Sequence, residues 1–174
     1  KNDKLKSFHD LNRVTLGTIF FPLAFIFIAI LFWENKNIIA CSFIILALSD
    51  PLSSFIGENL KNTHTYSIGE DLKSFEGSTM MFLSTFIILS LFSNSIFNNF
   101  NSHDSFLAIL ICSISITIAE AMSTKGSDNL TIPIIAFFFI EMFNIINEKQ
   151  IIVEFSFITI AMKILLFYFY KKKH

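Results

Sequence analysis

The stretch LKSFEGSTMMFLSTFIILSLF, residues 72–92, sets a lysine, a glutamate and a glycine directly ahead of a run without a single charge. From Gly77 to Phe97 that run is close to the ~20 residues that cross a ~30 Å hydrocarbon layer. Similar runs recur on both sides of it. Spans are expected near Val14–Trp33, Ile38–Ile56, Gly77–Phe97, Ser105–Met122, Leu130–Ile146 and Glu154–Tyr170. Composition agrees: 53% of the 174 residues are hydrophobic, 16% are charged and 23 are Phe, more apolar surface than one soluble core could hide. The expectation is an all-α integral membrane protein, a single transmembrane domain over residues 1–174 built as a bundle of about six helices.

An even number of spans puts both termini on one side. Lys1, Lys4, Lys6, Arg13, Lys61, Lys73, Lys125, Lys171, Lys172 and Lys173 then share that side, against Lys36 and Lys149 on the other. Basic residues accumulate in cytoplasmic loops, so the termini and the loops Gly57–Glu76 and Ser123–Asn129 are expected in the cytoplasm. The formal charge of −1, with no basic stripe carrying interleaved aromatics, argues against a nucleic-acid partner. Cys41 and Cys112 fall inside apolar runs without metal or redox spacing, and the four histidines are too dispersed for a zinc motif.

Acids inside or at the edge of a span are costly enough to need a reason. Asp50 lies within the second span, roughly 9 Å from Ile56 at about 1.5 Å per residue. Glu120 is near the end of the fourth span, Asp128 and Asn129 open the fifth, and Lys73 and Glu76 stand at the start of the third. Four separate segments thus bring six polar residues to similar depth on one side. Carboxylate oxygens of this kind suit Mg²⁺, and a lysine suits phosphate oxygens. The N-termini of the third and fifth helices would add N–H groups and positive dipole ends, and Gly77 would let a ligand approach the backbone. Such a set fits phosphoryl or nucleotidyl transfer, in which positioning and charge neutralisation dominate. Taken singly, Lys73 and Glu76 also read as an i, i+3 surface pair, and Ser127 or Asp128 as an ordinary helix cap. Glu141 and Lys163 read as an intramembrane ion pair or as snorkelling side chains. No G-x-x-x-x-G-K-[ST] run occurs, so a nucleotide would be held without a P-loop.

The runs LSDPLSSFIGENL (48–60), LKSFEGSTMMFL (72–83) and EAMSTKGSDNLTIP (120–133), together with RVTLGTIFFP (13–22), resemble the phytol kinase and dolichol kinase group. These CTP-dependent lipid-alcohol kinases are related to the phosphatidate cytidylyltransferases. The resemblance implies transfer of the γ-phosphate of CTP to a membrane isoprenoid alcohol of the phytol or geranylgeraniol type. It puts Asp50 at the metal and nucleotide site, Lys73, Ser74, Glu76, Gly77 and Ser78 in the triphosphate region, and Glu120, Asp128 and Asn129 on the remaining polar wall. Asp50, Asp128 and Glu120 are the expected Mg²⁺ ligands; Asp50, Lys73 and Glu120 are the expected catalytic set. The chain departs from that pattern in two places: Gly57 is followed by Glu58 and Asn59 where basic residues are usual, and further N-terminal spans with an R-K-x-x-H element are expected to be missing. Two other readings remain at this stage: a lipid nucleotidyl transferase, and a transporter whose buried acids bind a cation.

Overall fold

A computed structural model describes residues 16–60, 63–68, 71–97 and 102–145. Among these residues the chain forms α1 (Gly17–Phe32), α2 (Lys36–Asn59), β1 (Thr65–Ile68), β2 (Asp71–Ser74), α3 (Phe75–Ile96), α4 (Ser102–Met122) and α5 (Asp128–Ile145). By length and composition α2, α3 and α4 are able to cross a membrane, and α1 is a shorter apolar helix. The protein is thus a mostly helical membrane protein. Five of the expected spans coincide with these helices to within a few residues; the sixth, Glu154–Tyr170, lies outside the described residues, as does Lys163.

Hydrocarbon offers no hydrogen-bond partners, so each span must satisfy its own backbone, and helices do so locally. Serines inside the spans are absorbed the same way. The hydroxyls of Ser42, Ser84, Ser90 and Ser113 each donate to the carbonyl four residues earlier, at 2.7–2.8 Å. The small side chains then serve packing. On α2 the buried residues Ile38, Ser42, Ile45, Ser49 and Ser53 recur at helical spacing, and on α3 Gly77, Met81, Ser84, Thr85, Ile88 and Leu89 do likewise. These two faces form the most extensive helix contact, with α4 packing on α3 and α5 on α1, α2 and α4. Small residues allow that closeness. A Cβ on Gly77 would lie 2.9 Å from the Ser53 carbonyl oxygen, and one on Gly57 would lie 2.8 Å from Ser74 Oγ.

Between α2 and α3 the all-α expectation is corrected. Residues 65–68 and 71–74 pair as an antiparallel hairpin in the register Thr65↔Ser74, Tyr66↔Lys73, Ser67↔Leu72 and Ile68↔Asp71. TYSI favours a strand by residue type, but four-residue strands in a polar loop carry too little periodicity to stand out beside the spans. The hairpin leads straight into α3, whose N-cap Ser74 accepts a hydrogen bond from Gly77 N at 3.0 Å. Asn35, between α1 and α2, donates to Glu141 Oε1 at 2.8 Å, giving that acid a neutral partner at the opposite end of the bundle. Lys163, named with Glu141 as an ion pair or a snorkelling side chain, lies outside the described residues.

Gly77→Ala forces a methyl group against the Ser53 carbonyl, which as backbone has little freedom to move. The expected cost is about 1–3 kcal/mol, read as a lowered thermal unfolding midpoint in detergent. A stability equal to wild type would show that α2 and α3 do not approach this closely.

Candidate functional site

Helices α1, α3 and α5 begin, and α2 and α4 end, around one cavity of about 1060 Å³. Its wall includes Asp50, Ser53, Ser54 and Gly57 from α2, Lys73, Ser74, Gly77 and Ser78 from β2 and α3, Glu120 from α4, Asp128 and Asn129 from α5, and Gly17, Thr18 and Phe21 from α1. Three helix N-termini therefore converge on it, each the positive end of a helix dipole, with Gly77 N taken up by Ser74 Oγ and Asn129 N by Asp128 Oδ1. The sequence pointed to two of them. The α1 terminus is held there by backbone contact: Gly126, at φ +83°, packs so closely that a Cβ on it would meet Gly17 N at 2.8 Å. Lys125 is also left-handed, at φ 55°, so the α4–α5 turn folds back over the start of α1.

The centre of the wall is an ion pair. Lys73 Nζ donates to Glu120 Oε1 at 2.5 Å, and the Glu120 side chain is only 4% exposed. Its second oxygen, Oε2, is buried with no hydrogen-bond partner among the described residues. Burial works against a charged Lys73, but the hydrogen bond to Glu120 and the negative charges of Glu120, Asp128 and Asp50 outweigh it, so its pKa is raised. Lys73 thus stays cationic throughout the physiological range. Asp50 is repelled by the charges of Asp128 and Glu120 and attracted by Lys73. Asp128 Oδ1 accepts from Asn129 N at 2.8 Å and from Asn129 Nδ2 at 3.0 Å, which orients both side chains of the α5 entrance. The Tyr66 hydroxyl and Ser78 Oγ share a hydrogen bond of 2.6 Å, and burial first of all raises the Tyr66 pKa, keeping the phenol neutral.

Most of the expected residues are brought together here: Asp50, Lys73, Ser74, Gly77, Ser78, Glu120, Asp128 and Asn129 all line the cavity. Glu76 does not. Its carboxylate accepts from His64 N, 3.1 Å from each oxygen, and lies 2.9 Å from His64 Nδ1, on the outer side of the hairpin. Its assignment to the triphosphate region is corrected, and so is the Lys73–Glu76 surface pair, because Lys73 in strand β2 turns away from Glu76 to meet Glu120. The cap of α5 is shared: the Ser127 carbonyl accepts from Leu130 N and Thr131 N, leaving the Asp128 side chain in the cavity wall. Asp71, absent from the expected set, accepts from Lys125 N at 2.8 Å and ties the hairpin to the α4–α5 turn. Its only signal in the sequence was its place in the charged run GEDLK.

Among the described residues no group of three or more His, Cys, Asp or Glu side chains stands close enough to hold a metal. The expected trio Asp50, Asp128 and Glu120 is therefore no ready-made cage. Mg²⁺ requires none: it is usually held by one or two carboxylates, with phosphate oxygens and water completing its shell. Asp50 and Asp128, which repel one another and line the same cavity, are two carboxylates of the kind such an ion accepts.

The fold and site define a helical membrane protein with a polar, mixed-charge cavity at one end of its bundle. The chain is similar to an uncharacterized protein of Rickettsia prowazekii (strain Madrid E), with 34% identity over 120 residues, 68% of this chain and 53% of the relative. It spans about half the length of that curated relative. No family model and no solved structure matches it.

Removing one partner of the buried pair leaves an uncompensated charge. Lys73→Met is expected to cost about 3–5 kcal/mol, and the double variant Lys73→Met/Glu120→Gln to recover much of it, as read by thermal unfolding in detergent. Because the Lys73 pKa is raised on folding, its contribution is fully present below the ordinary lysine value of about 10.4 and is lost only as pH rises through the raised folded value. A stability step near neutral pH that disappears in Lys73→Met would contradict this.

Proposed function

We propose that the protein is a CTP-dependent kinase that phosphorylates a membrane isoprenoid alcohol. The observation carrying this reading is the buried Lys73–Glu120 pair, with a free carboxylate oxygen, set between three helix N-termini and the acids Asp50 and Asp128. Such a cavity pairs positive charge for phosphate oxygens with oxygen ligands for a metal. The motif runs around Asp50, Lys73 and Asp128 carry the resemblance to the phytol kinase and dolichol kinase group, and they meet at this one place.

In this reading the triphosphate lies against the α1, α3 and α5 N-termini, with Lys73 neutralising the transferred group and Ser74, Ser78 and Asn129 offering hydrogen bonds. Asp50 and Asp128 are the residues that would hold Mg²⁺; bound there, the ion would neutralise charge on the phosphate oxygens. The alcohol oxygen attacks the γ-phosphorus as its bond to the β-phosphate oxygen breaks, CDP leaves, and the alcohol proton passes to Glu120 Oε2. The Lys73 contact to Oε1 holds that carboxylate in place. The full topology belongs to the same proposal: six spans, both termini cytoplasmic and the cavity facing the cytoplasm, in keeping with Lys73 and Lys125 at the cavity end and Lys36 at the other.

Purified protein offered CTP labelled at either the α or the γ position, with geranylgeraniol, phytol or a lipid phosphate, tests the reaction. The γ label alone is expected in the alcohol, with dependence on Mg²⁺ that chelation abolishes and added ion restores. Entry of the α label into a lipid phosphate would mark a nucleotidyl transferase instead, and solute flux without label transfer a transporter. Asp50→Asn is expected to lower turnover by about 10²–10³-fold or more while unfolding like wild type. An active Asp50→Asn enzyme would remove that residue from the mechanism.

A further inference from the structure

A second concavity of about 410 Å³ lies between α1 and α2, lined by Phe21, Phe25, Ile39, Ala40 and Phe43. Trp33 and Lys36 stand at its far end, with Lys36 Nζ 5.7 Å from the Trp33 ring centre. It exists because α1 leans on α5 and only lightly on α2, touching it through Phe21 and Phe25, each with its ring centre 5.5 Å from that of Phe43. One residue joins this cleft to the polar cavity. Phe21 lines both.

We infer that this cleft seats the hydrocarbon tail of the acceptor lipid, whose hydroxyl end reaches the polar cavity past Phe21; the inference rests on the phosphoryl-transfer reading of that cavity. Length and lining favour a tail. From Phe21 to Trp33 the cleft follows α1 for about 18 Å, slightly more than half of a ~30 Å bilayer core. Carbon atoms in contact sit about 3.5–4.0 Å apart, so its 410 Å³ admits an extended hydrocarbon chain along that length. The aromatic walls are apolar along the whole path, and Trp33 with Lys36 has the composition of a membrane–water boundary.

The test uses the full chain in lipid nanodiscs and geranylgeraniol carrying a photoactivatable diazirine near the tail end, without nucleotide. Label is expected on Phe25, Trp33 or Ile39, displaced by unlabelled alcohol. Ala40 is exposed, so Ala40→Trp fills the cleft without disturbing the core. It should reduce labelling, and raise KM for the long alcohol relative to a short prenol, by about tenfold or more, since several buried methylenes lose their seat. Leu91→Trp, on the 77% exposed outer face of α3, should change neither. Three results would overturn the inference: equal labelling of Leu83 and Leu91, an Ala40→Trp variant indistinguishable from wild type, or a disulfide between Phe25→Cys and cysteines placed along 154–170. Cleft labelling in a protein that transfers no phosphate would support the tail seat and count against the kinase reading alone. Phosphate transfer with labelling elsewhere would do the reverse.

Discussion

Lys73 and Glu120 are 47 residues apart, and neither would be tolerated where it is without the other. Glu120 sits in the last turn of α4 with its side chain almost wholly buried, where an unpaired charge is costly. Lys73 arrives from a strand, which extends the chain far enough from α2 to bring its ammonium group back over the bundle end. The pair therefore fixes the hairpin to α4, and with it the entrance of α3. Asp71 repeats the arrangement one strand position pair away by accepting from Lys125 N, so the hairpin is anchored to both sides of the α4–α5 turn.

Close backbone approach supplies the second constraint. Gly57 and Gly77 let α2 and α3 converge at the cavity, and Gly17 and Gly126 bring the α1 entrance against the α4–α5 turn. At both places a methyl group would collide with atoms that are part of the wall. Five helix ends thus crowd into one region, and three of them point their N-termini inward. The positive dipole end of α5 favours Asp128 at its entrance, whereas Glu120, in the last turn of α4, is offset by Lys73.

Polarity is divided along the bundle, and Phe21 borders both concavities. At the cavity end, serines, amides and charges face a common space; from Phe21 outward the surface between α1 and α2 is aromatic and aliphatic. The departure from regular packing that creates the second half is modest: α1 rests on α5 and stands off α2.

The positions of five helices, the membrane setting and the gathering of Asp50, Lys73, Glu120, Asp128 and Asn129 at one end were legible in the residues themselves. Lengths of charge-free sequence and a rise of about 1.5 Å per residue set depth along a helix axis, and depth alone sorts these groups to one side. Direction around the axis is another matter. Whether a side chain faces the cavity or the outer surface depends on which neighbour its helix packs against, and only long-range contacts decide that. Glu76 shows the difference: it has the right depth and the wrong direction, and it pairs with His64 outside. The hairpin, the Lys73–Glu120 pairing, the contribution of the α1 entrance and the cleft beside it belong to the tertiary structure, because each arises from segments that meet only after the helices have packed.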